Sequence, residues 1–356
     1  MNLKILSRSR KLKSLIKEYI YYLRYVNKKK NIDAKTTKKV YFDFSDFHRH
    51  KFYFYSLAKF FKIQGYSVFI KKSFYSFHRI NKEASRVFEE SFGIFVNKIP
   101  SGALVFNDTN TTVDYFSRGE NESIYYVPMA MHPVYYHKNI WHELQQSHKI
   151  NSIFFAGNIE SRYYKWIENS PFDVIPRHDL IGFLVNKGFG VILKNPEDYV
   201  RIKEKGESKK IIIIDRKVFS IPSDKFRVEV SRFSFFLACP GILMPLSHNL
   251  IEAMSVGSIP IIQKAYADIL IPPLIDMKNA IIFNSFDDLT ASLNSVYDLD
   301  DEDRDRISKN VIKYYDKYLT PYSVIKKIED IYMECKIGIL GGSFSVDCLK
   351  RSIKKS

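Results

Sequence analysis

The run Phe233–Gln263, FSFFLACPGILMPLSHNLIEAMSVGSIPIIQ, decides the fold class. It begins with an apolar strand pattern, after which Pro240–Gly241 forces a turn. Ser247 is placed to cap the next helix, Gly257 is placed to end it, and Ile259–Ile262 is typical of a following strand. Strand, loop, helix, glycine and strand in this order predict a βαβ unit of a parallel sheet.

The same alternation continues along most of the chain. Apolar runs predict a first series of strands at Val40–Phe44, Tyr66–Ile70, Ala103–Phe106 and Ser123–Val127. A second series is predicted at Ser152–Ala156, Gly190–Leu193, Lys210–Asp215, Phe235–Cys239 and Ile259–Ile262. Helical periodicity occurs at Phe52–Ile63, Ser247–Val256, Phe286–Val296, Asp303–Tyr318 and Pro321–Cys335. We therefore predict an α/β protein with two Rossmann-like domains that face a cleft, joined near Pro128–Pro133.

Composition excludes several classes of protein. The 356 residues are 46% hydrophobic and 26% charged, which is ordinary globular composition with room for two domains. Three cysteines without a C-x-x-C spacing argue against a disulfide framework and a structural zinc site. No apolar run approaches the ~20 residues of a membrane span, and no secretory signal is apparent, so we expect a cytoplasmic protein. P-loop, H-E-x-x-H, G-x-S-x-G and G-x-G-x-x-G motifs are absent.

Positive charge is concentrated at the N-terminus. Residues 1–40 contain 13 Lys and Arg against Glu18 and Asp33, which leaves a net charge of only +5 for the remaining residues out of the total of +16. Helical spacing predicts one apolar face, formed by Leu12, Leu15, Ile16, Tyr19, Leu23 and Val26, opposite a face that includes Lys11, Lys13, Lys17, Arg24 and Lys28 to Lys30. Such a helix suits an anionic membrane surface on the inner face of the cytoplasmic membrane. The alternatives are a helix packed on the body, a basic tail and a nucleic-acid arm, and we do not expect nucleic acid as a partner because no reader motif is present.

The run quoted first resembles the donor-binding signature of GT-B glycosyltransferases, most closely the exostosin-like branch. The residues that match this pattern are Gly241, Ser247, His248, Asn249, Glu252, Gly257, Ile259 and Pro260. Ile153–Asn158 (IFFAGN), with Arg162 beyond it, looks like the strand and glycine loop that open the C-terminal domain of the family. The resemblance implies that the C-terminal helices cross back to the first domain.

The domain organisation that follows has five parts. They are a basic amphipathic segment (1–35), an N-terminal acceptor domain (36–133), a C-terminal nucleotide-sugar donor domain (150–318), a helix packing back on the first domain (319–336) and a basic tail (337–356) that begins beyond the folded region and includes Gly341–Gly342.

The resemblance also implies an activity. The chain would move a sugar from a nucleotide-activated donor to a saccharide or lipid-linked saccharide acceptor in the synthesis of capsule, O-antigen or lipooligosaccharide. Two alternatives stay open: a transferase of the same fold that uses a CMP-activated acidic sugar, and a non-catalytic basic protein that binds the membrane periphery.

The donor-binding candidates come from this motif, from the IFFAGN loop and from nearby arginines. They are Asn158, Arg162, Arg227, Arg232, Gly241, Ser247, His248, Asn249 and Glu252. Glu252 would accept the hydroxyls of a ribose, and an arginine would neutralise the diphosphate. The competing interpretations are a solvated carboxylate for Glu252, a simple helix cap for His248 and ordinary surface side chains for the arginines.

The catalytic base and the metal requirement are less constrained by the sequence. Asp46 and His48 follow the first predicted strand, and His132 lies in the linker, so each is a candidate base. Asp46 has the alternative role of a helix cap. The acidic clusters Asp287–Asp288 and Asp298–Asp305 are predicted to begin helices, where acids favour the helix dipole. With no other metal candidate in the sequence, the resemblance to GT-B enzymes implies an enzyme that requires no metal and no cofactor beyond the nucleotide sugar.

Overall fold

The computed structural model describes residues 3–28, 37–83, 86–117, 123–142, 144, 149–206 and 209–354. Of the predicted parts, residues 1, 2 and 29–35 of the basic segment, with Lys29 and Lys30, and residues 355–356 of the tail lie outside the described residues. The chain divides into two compact units. Unit 1 comprises the described residues within 1–115, 119–125 and 325–344, and unit 2 those within 116–118, 126–324 and 345–356.

Unit 1 contains a four-stranded parallel sheet. The elements are α1 (Leu3–Asn27), β1 (Lys39–Asp43), α2 (Lys51–Ile63), β2 (Ser67–Lys71), α3 (Phe74–Glu83), α4 (Arg86–Glu89), β3 (Gly93–Val96), β4 (Ala103–Asn107), β5 (Thr111–Thr112) and β6 (Ile124–Tyr126). The order β3-β2-β1-β4 is the arrangement of a Rossmann half, and the pairings of β1 with β2 and β4 and of β2 with β3 are parallel. Val40, Phe42, Phe61 and Phe106 are buried in the core between this sheet and its helices.

Unit 2 contains a six-stranded parallel sheet. The elements are α5 (Pro133–His137), β7 (Ile150–Gly157), α6 (Lys165–Glu168), α7 (Arg177–Asn186), β8 (Gly190–Ile192), α8 (Pro196–Lys205), β9 (Ile211–Asp215), α9 (Phe226–Val230), β10 (Phe233–Ala238), α10 (His248–Met254), β11 (Ile259–Gln263), α11 (Lys264–Ala267), β12 (Ile281–Phe283), α12 (Phe286–Val296) and α13 (Asp301–Tyr318). The strand order is β12-β11-β10-β7-β9-β8, so the direction of winding reverses between β7 and β10. Runs such as Ile211–Ile214 are buried along their length, as expected for parallel strands covered on both faces.

The sequence prediction of an α/β protein with two parallel-sheet units is confirmed. The quoted run forms β10, α10 and β11, and β10 pairs with β11 in parallel from Phe235↔Ile259 to Ala238↔Ile262. Gly257 follows α10 with a φ of 66°, a left-handed conformation that favours glycine. A Cβ there would also lie 2.8 Å from Ser308 Oγ, so both conformation and space require glycine.

The residues after 336 are folded, and the prediction of a basic tail is wrong on this point. After α14 (Pro321–Ile331), the chain forms β13 (Lys336–Gly338), which pairs in parallel with β5, and then α15 (Ser343–Ile353). Ile337, Ile339 and Leu340 are buried. Gly341 is not a flexible linker, because a Cβ there would lie 2.7 Å from the Arg49 carbonyl oxygen. The apolar run IGIL supplies the hydrophobic side chains that this short strand buries.

The predicted N-terminal helix is present as α1, and it packs on the rest of unit 1 through side chains outside the predicted apolar face. Tyr22 and Tyr25 are buried, and Tyr25 donates a hydrogen bond of 2.9 Å from its hydroxyl to the Gly93 carbonyl. Most of the predicted apolar face, from Leu12 to Leu23, is exposed. Within the described part of the chain, no helix combines the length and the apolar character needed to cross a bilayer.

Candidate functional site

A cavity of about 290 Å³ opens at the carboxyl ends of β7 and β9, beside α10. It lies within unit 2, at the edge where the strand order reverses, which is where open α/β sheets bind ligands. Its volume is close to the lower end of the range for small-molecule sites, roughly 300–1,000 Å³. The lining residues are His132, Ala156, Gly157, Ile214, Arg216, Phe219, Ser220, Ile221, Pro222, Ser223, Phe226, His248, Asn249 and Glu252.

Glu252 is the buried carboxylate of this cavity. Glu252 is 3% exposed, and one of its carboxylate oxygens accepts a hydrogen bond of 2.9 Å from the backbone N–H of His132. Burial raises the pKa of Glu252 from 4.5 to about 7, although the His132 N–H and the Arg227 charge oppose this increase. The carboxyl group is therefore poised to change its protonation state near neutral pH.

His132 and His248 lie side by side on the cavity wall, with ring centroids 5.7 Å apart. His248 Nδ1 lies 2.7 Å from the Ala130 carbonyl oxygen, which can only accept, so Nδ1 carries the proton and Nε2 of the neutral ring is an acceptor. His132 Nδ1 accepts the Val134 N–H at 3.2 Å, so the proton of the neutral ring is on Nε2. Burial lowers the pKa of His248 from 6.5 to about 4, which keeps that ring neutral. The pair thus combines one donor and one acceptor.

This arrangement bears on the proposed base role of His132. In this tautomer its Nε2 is a donor, and its Nδ1 is already an acceptor for the N-terminus of α5. A base role for His132 would require the other tautomer of the ring, and that role stays a prediction.

Arg177 ties together two loops beside the cavity and was not predicted from the sequence. It is 8% exposed, and its guanidinium donates to the Asn158 carbonyl at 3.2 Å and to the Pro240 carbonyl at 3.0 Å. The rings of Phe155 and Tyr164 lie 5.5 and 5.1 Å from its guanidinium carbon. This buried cation joins the end of β7 to the loop after β10, and so holds the two backbone segments that flank α10.

The loop after β10 depends on Gly241. Its N–H donates to the Pro245 carbonyl at 3.1 Å, and a Cβ at this position would lie 2.6 Å from the Met244 carbonyl oxygen. Only glycine fits this close approach of backbone to backbone. Ser247 occupies the N-cap position of α10, but its side chain makes no capping hydrogen bond; its N–H instead donates to the Tyr266 hydroxyl at 2.9 Å.

The cavity gathers four of the predicted site residues: His132, His248, Asn249 and Glu252. Gly241 and Ser247 shape the backbone next to α10 without lining the cavity. Asn158 also lies outside the lining, where its side-chain oxygen accepts the Glu160 N–H at 2.8 Å and so shapes the loop after β7.

The three predicted diphosphate arginines do not line the cavity. Arg227 is 1% exposed and donates to Ser255 Oγ at 2.8 Å and to the carbonyls of Ile140 and His142 at 2.8 and 3.0 Å. Because this buried guanidinium is bonded within the protein and does not line the cavity, the predicted role of Arg227 in binding the diphosphate is corrected to a structural one. Arg162 is exposed and pairs with Glu160, and Arg232 pairs with Glu229.

Arg216 is the cation that sequence reasoning missed. Among the described residues, it is the one Lys or Arg side chain in the cavity lining, and it is exposed at the end of β9. Its N–H donates to the Gly157 carbonyl at 2.9 Å, which fixes its backbone beside the end of β7. The signal available in the sequence was its place directly after the predicted strand Lys210–Asp215.

Asp46 and His48 lie in unit 1, after β1. The Asp46 carboxylate accepts the His48 N–H at 3.0 Å and caps a short 3-10 turn, Phe47–Arg49, as the alternative interpretation of Asp46 predicted. The ring of His48 meets Phe344 edge to face. Neither side chain lines the cavity of unit 2.

The acidic clusters are helix starts, as predicted. Asp287 and Asp288 fall in the first turn of α12, and Asp300 caps α13 by accepting the Asp303 N–H at 2.7 Å. In the described ranges, no group of three or more His, Cys, Asp or Glu side chains is arranged to hold a metal ion. Independence of metal stays a prediction.

No protein-family model matches the chain, and no curated protein matches it. Among solved structures, HepE of Anabaena in complex with UDP and glucose is similar at 11% identity and a TM-score of 0.42, over 83% of this chain and 99% of that one. A glycosyltransferase of Rickettsia africae is similar at 10% identity and 0.39, over 84% and 98%. TarM is similar at 11% identity and 0.33, over 79% of this chain and 45% of TarM. At these TM-scores the likenesses assign no function to the chain.

Proposed function

We propose that the chain is a GT-B glycosyltransferase of exostosin-like type that binds a nucleotide-activated sugar in the cavity of unit 2. One observation carries this proposal. Three residues that match the donor-binding motif, His248, Asn249 and Glu252, line a cavity at the edge of the sheet where the strand order reverses. The side chains that match the sequence motif are therefore the ones that lie at the ligand-binding edge of the sheet.

The cavity offers a complementary group for each part of such a donor. The carboxylate of Glu252 is an acceptor for the paired hydroxyls of a ribose. Arg216 is the cation available to a diphosphate.

The acceptor and the biological setting rest on the resemblance and on the charge of the chain. We propose hexosyl or related sugar transfer, without metal, to a saccharide or lipid-linked saccharide during synthesis of a bacterial surface polysaccharide such as capsule, O-antigen or lipooligosaccharide. The reaction would take place in the cytoplasm, at the inner face of the membrane. Asp46, His48 and His132 remain the candidate bases.

The two alternatives make different demands on the cavity. A CMP-activated acidic sugar would favour a strongly basic lining, but this lining combines Arg216 with the carboxyl group of Glu252. A non-catalytic binding protein would bind a nucleotide and transfer nothing.

The test is thermal-shift binding against UDP, GDP, CMP and their sugar conjugates. A ligand present at 100 times its dissociation constant stabilises the folded protein by about 2.7 kcal/mol. At about pH 8, where most of Glu252 is ionised, we expect one nucleotide class to stabilise the wild type and Glu252→Gln to weaken that binding by roughly tenfold or more, because a charged acceptor is lost. Glu204→Gln, an exposed glutamate of the same unit, is the matched control and should leave binding unchanged.

Two results would contradict the proposal. One is that no nucleotide stabilises the folded wild type. The other is that Glu252→Gln binds as tightly as the wild type and the control. Binding without release of the nucleotide from its sugar, in the presence of candidate acceptors, would instead favour the non-catalytic protein.

A further inference from the structure

Helix α1 presents three distinct stripes of side chains. At about 100° per residue, Tyr22 and Tyr25 fall on one side of the helix together with Glu18. These residues hold α1 to unit 1: the tyrosines are buried against Phe77, and Glu18 pairs with His78 at 2.7 Å. The docking of the helix is therefore centred on this side.

The second stripe is apolar and exposed. It spans about 140° of the helix circumference and is formed by Leu15, Tyr19, Leu12, Leu23, Ile16 and Ile20. Leu12 is 60% exposed and Ile16 is 51% exposed. All six side chains are 40–60% exposed, although the ring of Tyr19 also contacts the ring of Phe74 at a centroid distance of 5.1 Å. A contiguous exposed apolar stripe of this kind marks an interaction surface.

The third stripe is basic and directly adjoins the apolar one. Lys13, Arg24, Lys17 and Lys28 follow Ile20 around the helix, over about 60°. They are all exposed. No acidic side chain interrupts this stripe between residues 11 and 28, because Glu18 lies on the docked side. Apolar and cationic side chains thus border each other along the length of the helix.

We propose that α1 docks this protein on an anionic lipid surface, with its apolar stripe in the acyl boundary and its basic stripe among the headgroups. Charge complementarity selects this occupant, because an apolar stripe bordered on one side by cations alone matches a surface that is apolar below and negative above. The exposed ring of Tyr19 suits the boundary between the two layers. This inference stands apart from the donor cavity, which lies in unit 2.

The test is co-sedimentation of the full chain with vesicles of phosphatidylcholine alone and of phosphatidylcholine mixed with phosphatidylglycerol. We expect binding to the mixed vesicles only. Ile16→Ser with Lys17→Glu should weaken that binding roughly 25-fold or more, since charge reversal replaces an attraction with a repulsion. Lys98→Glu with Ile99→Ser is the matched control: it changes the same residue types elsewhere in unit 1, where Ile99 is 56% exposed.

Measurements of folding and of nucleotide binding distinguish a loss of membrane binding from a loss of structure. Circular dichroism and the thermal shift with nucleotide should be unchanged in both double variants. Leu12→Ser with Lys13→Glu repeats the test if the first variant does not fold. The proposal is overturned if the wild type does not bind anionic vesicles, or if both double variants bind as it does. It is also overturned if the wild type sediments as a dimer and the α1 variant as a monomer. The same holds if the α1 variant loses binding to DNA while it still binds to vesicles.

Discussion

Burial shifts the pKa values of Glu252 and His248 in opposite directions, which predicts an unusual pH dependence of stability. The pKa of Glu252 rises from 4.5 to about 7, so this group contributes stability that is present below pH 4.5 and lost as the pH rises through about 7. The pKa of His248 falls from 6.5 to about 4, so its contribution is present above pH 6.5 and lost as the pH falls through about 4. In the wild type the two contributions oppose each other over nearly the same range.

The magnitude follows from the two pKa values. At about 1.36 kcal/mol per pH unit, each group changes the free energy of unfolding by at most about 3 kcal/mol. When one of the two groups is replaced, the pH dependence of stability that remains is that of the other group. Glutamine is suitable at both positions, because its amide can accept from the His132 N–H or donate to the Ala130 carbonyl as the native side chains do.

The assay is thermal unfolding of the wild type, Glu252→Gln and His248→Gln between pH 4 and pH 8. The melting temperature of Glu252→Gln relative to the wild type should increase with pH, and that of His248→Gln should decrease. Since 1 kcal/mol corresponds to roughly 2–4 °C for a domain of this size, each difference should change by several degrees. The difference in melting temperature between Glu204→Gln and the wild type should not change with pH. Differences that are flat, or that change in the same direction for both variants, would refute the reasoning.

Four further substitutions test individual contacts. Arg177→Ala leaves two loop carbonyls unpaired, so it should lower the free energy of unfolding, measured by denaturation, by roughly 2–4 kcal/mol. It should also weaken nucleotide binding, and unchanged binding would contradict a positioning role for Arg177. Arg227→Lys should destabilise the fold by a similar amount without altering nucleotide affinity of the folded protein, so a selective loss of affinity would restore a donor role. Gly241→Ala should lower both melting temperature and affinity, whereas Gly182→Ala, whose Cβ meets nothing within 4 Å, should lower neither. Tyr25→Phe should cost about 1 kcal/mol in thermal unfolding, and a neutral result would show that the bond to Gly93 contributes little.

The sequence predicted most strands of the two large sheets, because parallel strands are continuous apolar runs bounded by turn residues, but it missed the edge strands β3 and β12. The first strand was predicted at Val40–Phe44 and lies at Lys39–Asp43. The strand after the motif was predicted at Ile259–Ile262 and lies at Ile259–Gln263. Glu252 and His248 were also within reach of sequence reasoning, because a helix that follows a parallel strand begins at the ligand-binding edge of the sheet.

The sequence could not predict which arginines are buried and which are exposed. Whether an arginine is exposed or buried depends on which carbonyl groups the tertiary fold brings to it, and these come from distant segments. Arg227 meets the carbonyls of Ile140 and His142, and Arg177 meets that of Pro240. No local pattern distinguishes such residues from Arg162, which is exposed.

One error and one omission near the termini have the same origin. The three-residue strand β13 is held by pairing with β5, more than 200 residues earlier in the chain, and is too short to give a periodic signal. Helix α1 has the predicted amphipathic pattern, but it docks through Tyr22 and Tyr25 because Phe77, Phe88 and Phe95 gather from other elements to receive them. Periodicity identified the helix and could not identify the aromatic cluster.

The most direct test of the donor site is a crystal structure of the chain with the nucleotide that gives the largest thermal shift. We predict that the nucleotide occupies the cavity of unit 2, with a hydroxyl within hydrogen-bond distance of the Glu252 carboxylate and its phosphates near Arg216. A nucleotide bound elsewhere, with this cavity empty, would contradict the account.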